Sequence, residues 1–475
     1  MSMRSKLSTF SDFANGLFPH ETDYLLSVQQ FSKPENLKIL NLVSYNSKNP
    51  LNRLPYDTTI DKRAYSYVKN WIADTLAKAD VDLFYEWLLT IEQRVMTDSI
   101  TPEQEKALID KALRMDSTRY NFIRFYQVMQ HYRDYLMVRS RIRYYSKVTD
   151  YLESNYKSYV KSVDLNNQMN IAAERIVKQL ATNSDEFIRW EKLLTKIYYG
   201  KDLDGYSRYR AAVRLTILYY TNREFEKLLN LYDDLDSQFR SNIFYSKRIL
   251  ANYYHNRAMM LSKLKELDLA EKYGFLSIRQ KNSDYLFYLI SLCDILLNKG
   301  KHDKALRLMT NAIPELKKSN SFHSKIGFAA FYIKALLANG QIEKAVSYGT
   351  SFFDGYKKEI LEYRWHLFFS AYLLALLRAE KYSRVLSISR RYKLVTREKR
   401  QRDTALYLPV ILWYTILSEY MEGVILKNEF INSITKSGSE IMNSKYRKQK
   451  IKGLLNDLSF CLPDDIKIIS NMLGL

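Results

Sequence analysis

A motif that recurs late in the sequence constrains the fold more than any other feature. The segment NKGKHDKALRLM at 298–309 returns as ANGQIEKAVSYG at 338–349, in each case a turn followed by a lysine and an alanine. A third copy is centred on Ala270 and two looser ones on Leu228 and Val385, so that successive copies lie 42, 35, 40 and 40 residues apart. Such periods are typical of stacked supersecondary units, none of which can bury its own apolar face.

Helices are the expected building blocks of each unit. The chain of 475 residues contains only 13 glycines and 8 prolines, which is too few turn-forming residues for many short strands. Before Gly300, apolar residues fall at helical spacing at Leu286, Ile290, Cys293 and Leu297, and a second apolar segment follows the turn. The sequence therefore predicts an all-α protein that contains helical hairpins.

The repeated residues resemble those of tetratricopeptide repeats. Small residues open the second helix of each hairpin, small residues lie inside the first helix with a leucine three positions later, and another small residue follows in the second helix. These residues are Ala270, Ala305 and Ala345; Ala258 and Cys293; Leu261 and Leu296; and Ser277 and Ala312. Small residues suit positions where two helices cross closely, and Gly300 and Gly340 supply the left-handed residue that ends the first helix. The resemblance implies a TPR-like α-α solenoid of helical hairpins that binds a peptide or another protein on its concave face.

Positions on the concave face follow from counting back from the turn alanines. They are mixed in chemistry, and the candidate groove residues are Arg210, Asn252, His255, Asp294 and Lys334. Two interpretations of the mixture are open. The groove either binds an amphipathic segment of a partner through aliphatic anchors and a few polar contacts, or it is filled by the N-terminal part of this protein.

The remainder of the chain divides by composition. Residues 1–115 are expected to form an N-terminal helical bundle, in which Thr101, Pro102 and Gln104 form a capping box at the start of a helix. The sequence further predicts a basic, aromatic-rich helical connector at 116–200, the solenoid at 201–395 and C-terminal capping helices at 396–475.

The basic charge is unevenly distributed. The net charge is +21, but residues 1–115 carry 14 basic and 15 acidic side chains, whereas residues 116–475 carry 59 and 37. A field of this sign attracts nucleic acid, anionic lipid or an acidic protein. The densest clusters form a candidate basic patch of Arg390, Arg391, Lys393, Arg397, Lys399, Arg400, Arg402, Lys445, Arg447, Lys448 and Lys450.

An alternative function is suggested by the segment at 119–159, which interleaves arginine with tyrosine. Single-stranded nucleic acid is bound by such a combination when the rings are exposed, although the helical spacing of its aromatic residues favours a packed face. Within it, Arg124 and His131 resemble the pattern of HEPN ribonucleases, an arginine followed after four to six residues by a histidine. The resemblance implies catalytic roles for this pair, and Arg248 with His255 fits the same pattern.

Other classes of function have little support. The sequence contains no glycine-rich phosphate loop and no clustered histidines or cysteines, so no cofactor or metal is expected. The two cysteines, Cys293 and Cys461, are too few for a disulfide framework. The longest apolar run, at 405–417, is too short to span a bilayer. We expect a cytoplasmic, non-enzymatic adaptor or receptor with no membrane span, and the alternative is a nucleic-acid-binding protein with or without ribonuclease activity.

Overall fold

The computed structural model describes residues 7–50, 52–178, 184–240, 243–402, 407–442 and 445–475, with side chains at all of these positions except 175–178, 184–185 and 445–446. All regular secondary structure in these ranges is helical, which confirms the predicted all-α class. The chain divides into two compact units, Met1–Lys265 (unit 1) and Glu266–Leu475 (unit 2). The four-part division expected from composition stays a prediction.

The helices of unit 1 are α1 (Ser8–Asn15), α2 (Pro19–Val28), α3 (Pro34–Lys48), α4 (Lys62–Ala79), α5 (Val81–Met96), α6 (Pro102–Ala112), α7 (Phe122–Val138), α8 (Ile142–Lys178), α9 (Ser184–Tyr199), α10 (Gly205–Asn222), α11 (Phe225–Arg240) and α12 (Lys247–Lys263). Those of unit 2 are α13 (Leu267–Ser277), α14 (Tyr285–Asn298), α15 (His302–Asn311), α16 (Ile313–Lys318), α17 (Phe322–Ala338), α18 (Ile342–Glu359), the π-helical turn π1 (Ile360–Arg364), α19 (Trp365–Arg378), α20 (Tyr382–Arg391), α21 (Leu394–Lys399), α22 (Val410–Met421), α23 (Lys427–Ser439), α24 (Lys445–Leu458) and α25 (Pro463–Met472).

Local sequence signals fix several helices of unit 1. The predicted capping box is present at the start of α6, where Thr101 Oγ1 accepts from the Gln104 amide and the Gln104 side chain accepts from the Thr101 amide. Helices α1 to α4 pack on one another, and α7 packs between α5 and α8. The core of this second group includes Leu88, Phe125 and Tyr132, all of which are fully buried.

A buried polar network ties α2 to residues more than 200 positions later in unit 1. His20 Nε2 lies 2.9 Å from Asp236 Oδ1, and His20 Nδ1 lies 2.6 Å from the Tyr254 hydroxyl. Beside it, the Tyr245 hydroxyl donates to Glu21 Oε1 over 2.6 Å. Burial raises the pKa of Asp236, but its hydrogen bonds, above all the one from His20, and the nearby positive charges together outweigh this effect, so the pKa of this carboxyl lies well below its usual range.

The turns between helices share one backbone conformation. Gly300 and Gly340 have φ of +75° and +71°, and the amide that follows each donates to the carbonyl five residues back, as predicted for a helix C-cap. The same bond follows other left-handed residues in both units. These are Asp98, Ser140, Arg223, Glu380 and Gly423. The hairpin turn of the sequence motif therefore recurs well outside 298–349.

In unit 2 each first helix packs against the next one. Helix α17 contacts α14, α15, α18 and α19, and α19 in turn contacts α18, α20 and α22. The turn residues Ala270, Ala305 and Ala345 are fully buried. A Cβ placed on Gly274 would lie 2.8 Å from Leu292 Cδ1, so the backbones of α13 and α14 approach closely there.

Candidate partner-binding site

Helices α14, α17 and α19 of unit 2 lie side by side. Near its N-terminus, α17 meets α14 at Gly327, where an added Cβ would lie 3.2 Å from Ile290 Cδ1. At its C-terminal end, Asn339 Nδ2 donates to the carbonyl of His302, which follows α14, over 3.0 Å. The two helices therefore run in the same direction and in register.

Because α14 and α17 run in the same direction and in register, residues at matching positions of the two helices lie side by side. Because residues four apart share a helix face, Asp294 lies one turn beyond Ile290, and Phe331 lies one turn beyond Gly327. We call the resulting surface the open face; it consists of Phe287, Ser291 and Asp294 of α14, Phe331 and Lys334 of α17, and Ser370 and Leu374 of α19. It combines the exposed ring of Phe287 and the half-buried ring of Phe331 with a few polar groups.

The π-helical turn positions the half-buried guanidinium of Arg364 next to Gly327 of α17. Arg364 Nη1 donates to the carbonyl of His323 over 3.2 Å. It lies so close to Gly327 that a Cβ added to this glycine would be 2.7 Å from it. Burial lowers the pKa of Arg364 from its usual value. The ring of Tyr363, 43% exposed, stacks on Phe322 beside this contact. Interruptions of this kind in α-helices are frequent at functional sites.

Two predicted groove residues, Asp294 and Lys334, lie on the open face. The half-buried Asp294 carboxylate makes no hydrogen bond or ion pair with any residue that the structure describes. The Lys334 ammonium lies 4.8 Å from the centroid of the Phe331 ring. Since an unpaired carboxylate at a half-buried position is costly, Asp294 is suited to a cationic or hydrogen-bond-donating partner.

The C-terminal residues of unit 2 close one end of the open face. Arg378, at the end of α19, lies with its Cζ 4.0 Å from the centroid of Phe460, and Cys461 Sγ lies 3.6 Å from the Tyr382 hydroxyl. Burial raises the pKa of Asp457, while the nearby charges of Lys334 and Arg378 lower it in part. Residues beyond α24 thus contact the end of α19 and the start of α20.

The other predicted groove residues lie in unit 1, where they are held within that unit. Arg210 Nη1 donates to Asn166 Oδ1 of α8 over 2.7 Å, and Asn252 Oδ1 accepts from Asn256 over 3.0 Å. His255 is 3% exposed, and burial lowers its pKa to about 4. These residues do not join Asp294 and Lys334 on the open face as defined, and their role in binding stays a prediction.

The predicted basic patch lies in unit 2, on α20, α21 and α24. Five of its eleven cations, which make no ion pair with a described residue, lie close together in the sequence: Arg390, Arg391, Lys393, Lys399 and Arg400. By contrast, Arg402 pairs with Glu440 over 2.5 Å, and Arg397 donates to the carbonyl of Leu361 over 3.3 Å. Arg447 Nη1 lies 3.5 Å from the carbonyl of Ile441, next to Glu440.

The two basic segments are therefore neighbours in unit 2, joined by the link of Arg402 to Glu440. Lys448 and Lys450 are exposed on α24, whereas the side chain of Lys445 lies outside the described residues. Lys357 of α18, with its ammonium 5.2 Å from the Tyr392 ring, extends the same surface.

Arg124 and His131, the candidate ribonuclease pair, are brought together by Glu92 of α5. Arg124 Nη2 forms an ion pair with Glu92 Oε2, and His131 Nδ1 lies 3.2 Å from Glu92 Oε1 at an angle too poor for a hydrogen bond. The Glu92 carboxylate of α5 thus lies next to both side chains of α7 and links the two helices. In the second matching pair, Arg248 donates to Asp82 and His255 is buried.

The aromatic residues of the 119–159 segment belong to the core. Phe122, Phe125, Tyr126 and Met129 are at most 2% exposed, which confirms the packed-face interpretation of their spacing. In the turn that follows α7, Arg141 forms an ion pair with Glu105. Stacking platforms for nucleic acid are therefore not built from these four side chains.

No known family model matches the sequence, and no curated protein shows significant similarity to it. Across the described residues, no group of three or more histidine, cysteine, aspartate or glutamate side chains is arranged to hold a metal ion. Within the same residues, no helix combines the length and apolar character needed to cross a membrane. Cys293 and Cys461 are free thiols.

Several residues of the site could not be found from the sequence motif. Phe287 is 51% exposed on α14, and its helical spacing from Asp294 is the one signal that points to it. Arg364 reaches Gly327 because π1 adds an extra residue to the helical turn. No periodic pattern records such an insertion.

Proposed function

We propose that the protein is a non-enzymatic adaptor that binds another protein through the open face of unit 2. The observation that carries this proposal is the exposed ring of Phe287 and the half-buried ring of Phe331 on adjacent helices, together with the unpaired carboxylate of Asp294. Exposed large apolar side chains grouped with a few unsatisfied polar groups are typical of interaction surfaces. A location in the cytoplasm agrees with the two free thiols.

The architecture proposed for this binding is a TPR-like solenoid. Left-handed turn residues at intervals close to those of the sequence motif support it, as does the packing of each first helix on the next. In such an array the first helices line the concave surface. On this proposal the open face is the unoccupied part of that surface, and the residues around Phe460 are its terminal cap.

The chemistry of the open face favours one kind of partner segment. Phe287 and Phe331 offer rings for the apolar side of an amphipathic helix or strand. Asp294 is best satisfied by a lysine or arginine on the partner, whereas Lys334 already has Asp457 nearby. We therefore expect an amphipathic segment with aliphatic or aromatic anchors and at least one basic residue.

Substitutions on and off the open face test this function. Phe287→Ser and Asp294→Ala remove an anchor and a charge from exposed or half-exposed positions, so unit 2 is expected to remain folded. Matched controls are Leu269→Ser, at a residue 46% exposed on α13, and Asp354→Ala, at an exposed residue of α18. Partner binding should fall at least tenfold with the first pair and stay unchanged with the controls.

A second candidate function is the binding of nucleic acid or an acidic protein by the basic patch. The unpaired cations of α20 and α21 are the observation that favours it. Phosphate contacts release counterions, so the logarithm of affinity should fall by about 0.7 to 0.9 per contact for each logarithmic unit of salt. Arg390→Glu combined with Arg400→Glu should reduce both the affinity and this slope; an unchanged slope would exclude the patch.

A further inference from the structure

A cleft in unit 1 is lined by none of the candidate site residues described above. It has a volume of about 640 Å³ and lies among α2, the junction of α4 with α5, the end of α6 and the start of α7. Its walls include Lys78, Phe84, Lys111, Arg114 and Tyr120. Clefts of roughly 300 to 1,000 Å³ are of the size that holds small-molecule ligands.

Three of the cations in this cleft have no acidic partner. Lys78, Lys111 and Arg114 form no ion pair or hydrogen bond through their side chains with any described residue. Arg119, also in the lining, pairs with Asp116 over 3.2 Å. The three unpaired cations thus face the same space without a counterion from the protein.

The carboxylates in the lining do not neutralise these cations. Asp80 Oδ1 accepts from the amides of Asp82 and Leu83 and so caps α5. Asp110 lies one helical turn before Arg114 but forms no ion pair with it. Lys78, Lys111 and Arg114 are exposed where they line the cleft. Like charges that lie close together repel one another, and binding of an anion among them relieves this repulsion.

Lys111 is the most constrained of the three cations. Its ammonium lies 5.0 Å from the centroid of Phe84 and 4.9 Å from that of Trp87. Burial, with a contribution from the charge of Arg114, lowers the pKa of Lys111 from its usual value. The ammonium is thereby held beside an aromatic wall in a position where an anionic group relieves both effects.

We propose that this cleft binds a mononucleotide, with the phosphate on Lys78, Lys111 and Arg114 and the base against the aromatic and apolar wall. An arginine fork and two lysine point charges suit a phosphate. Tyr24, Phe84 and Ile243 supply the wall for a flat ring. The cleft shares no residue with the open face, which belongs to unit 2.

The test is a titration of the full chain with AMP, GMP, CMP, UMP and inorganic phosphate. Binding is measured by calorimetry and by the fluorescence of Trp87, isolated by subtracting the signal of a Trp87→Phe variant. At least one nucleotide should bind, change the Trp87 signal and bind at least tenfold more tightly than phosphate. The Lys111→Gln and Arg114→Gln variants should each weaken this binding at least tenfold.

Lys106→Gln is the matched control, since Lys106 is an exposed lysine of α6 outside the cleft lining. It should bind as the wild type does, and helical circular dichroism should be the same for all variants. The proposal is overturned by a lack of nucleotide binding. It is equally overturned by phosphate binding as tightly as every nucleotide, or by equal affinity in Lys106→Gln, Lys111→Gln and Arg114→Gln.

Discussion

Arg378 and Phe460, which are 82 positions apart, face each other in unit 2 with the guanidinium carbon 4.0 Å from the ring centroid. A cation at this distance over an aromatic face is attracted by the ring. The contact brings the residues after α24 against the end of α19, next to Lys334 and Asp457. The open face therefore has a defined end, and its remaining part extends toward Phe287.

Close packing between α18 and α19 makes Gly349 sensitive to substitution. A Cβ at this position would lie 2.5 Å from Tyr372 Cδ2, whereas a Cβ on Gly355 of the same helix meets nothing within 4 Å. We expect Gly349→Ala to lower the free energy of unfolding by about 1–3 kcal/mol through overpacking. Gly355→Ala should leave it unchanged or raise it by up to about 1 kcal/mol.

Denaturant unfolding of unit 2 measures both variants. Equal stability of Gly349→Ala and Gly355→Ala would show that α18 and α19 are farther apart than described.

Buried His255 should make unit 1 sensitive to mild acid. Burial lowers the pKa of His255 from 6.5 to about 4. Between these two pH values the imidazole is therefore protonated in the unfolded chain and neutral in the folded chain. The stability contributed by neutral His255 is complete above pH 6.5 and is lost as the pH falls to about 4, by up to about 3 kcal/mol.

Thermal unfolding of wild type and His255→Gln between these two pH values isolates this effect. The wild-type midpoint should fall more steeply with acidification than that of the variant. Parallel curves would mean that His255 is solvated and keeps its ordinary pKa.

Glu398 of unit 2 is expected to stabilise α22 as its N-terminal anchor. It is 1% exposed and accepts hydrogen bonds from the amides of Ile411 and Leu412 over 3.0 and 2.8 Å and from His366 Nε2 over 2.7 Å. Its negative charge lies where the helix dipole is positive.

Glu398→Gln should therefore cost about 1–3 kcal/mol, because the amide cannot satisfy the same donors. Glu362→Gln, at an exposed glutamate of π1, is the control that removes a charge elsewhere, and it should leave the free energy of unfolding unchanged. Chemical denaturation that finds both variants equally stable would contradict the anchoring role.

The adaptor proposal expects no RNA cleavage by the purified chain. Arg124 and His131 both face Glu92, so Arg124→Ala should cost about 1–3 kcal/mol by leaving this mostly buried carboxylate without its strongest partner. The measurement is a cleavage assay on single-stranded RNA together with the melting temperature of each variant. Cleavage by the wild type that both Arg124→Ala and His131→Ala abolish, with helix content retained, would instead establish the ribonuclease alternative.

Particular residues show how far the sequence could predict this structure. The buried turn alanines, the capping box at Thr101 and the left-handed glycines were predictable because residue type and spacing encode them directly. Left-handed Asp98 and Glu380 were not, because positive φ is uncommon for residues other than glycine and these residue types do not specify it. The proximity of Asp457 to Lys334 depends on how helices far apart in sequence pack on one another. Local periodicity does not encode this packing.

The most direct test of the partner-binding proposal is a comparison of proteins captured from source cells by wild type, Phe287→Ser with Asp294→Ala, and the control pair Leu269→Ser with Asp354→Ala. Captures are washed in high salt, about 0.5 M, where exposed charge interactions are screened, and treated with nuclease. The account predicts a defined protein retained by wild type and control and lost from the open-face variant. Equal retention by all three, or recovery of nucleic acid alone that disappears in high salt, would contradict it.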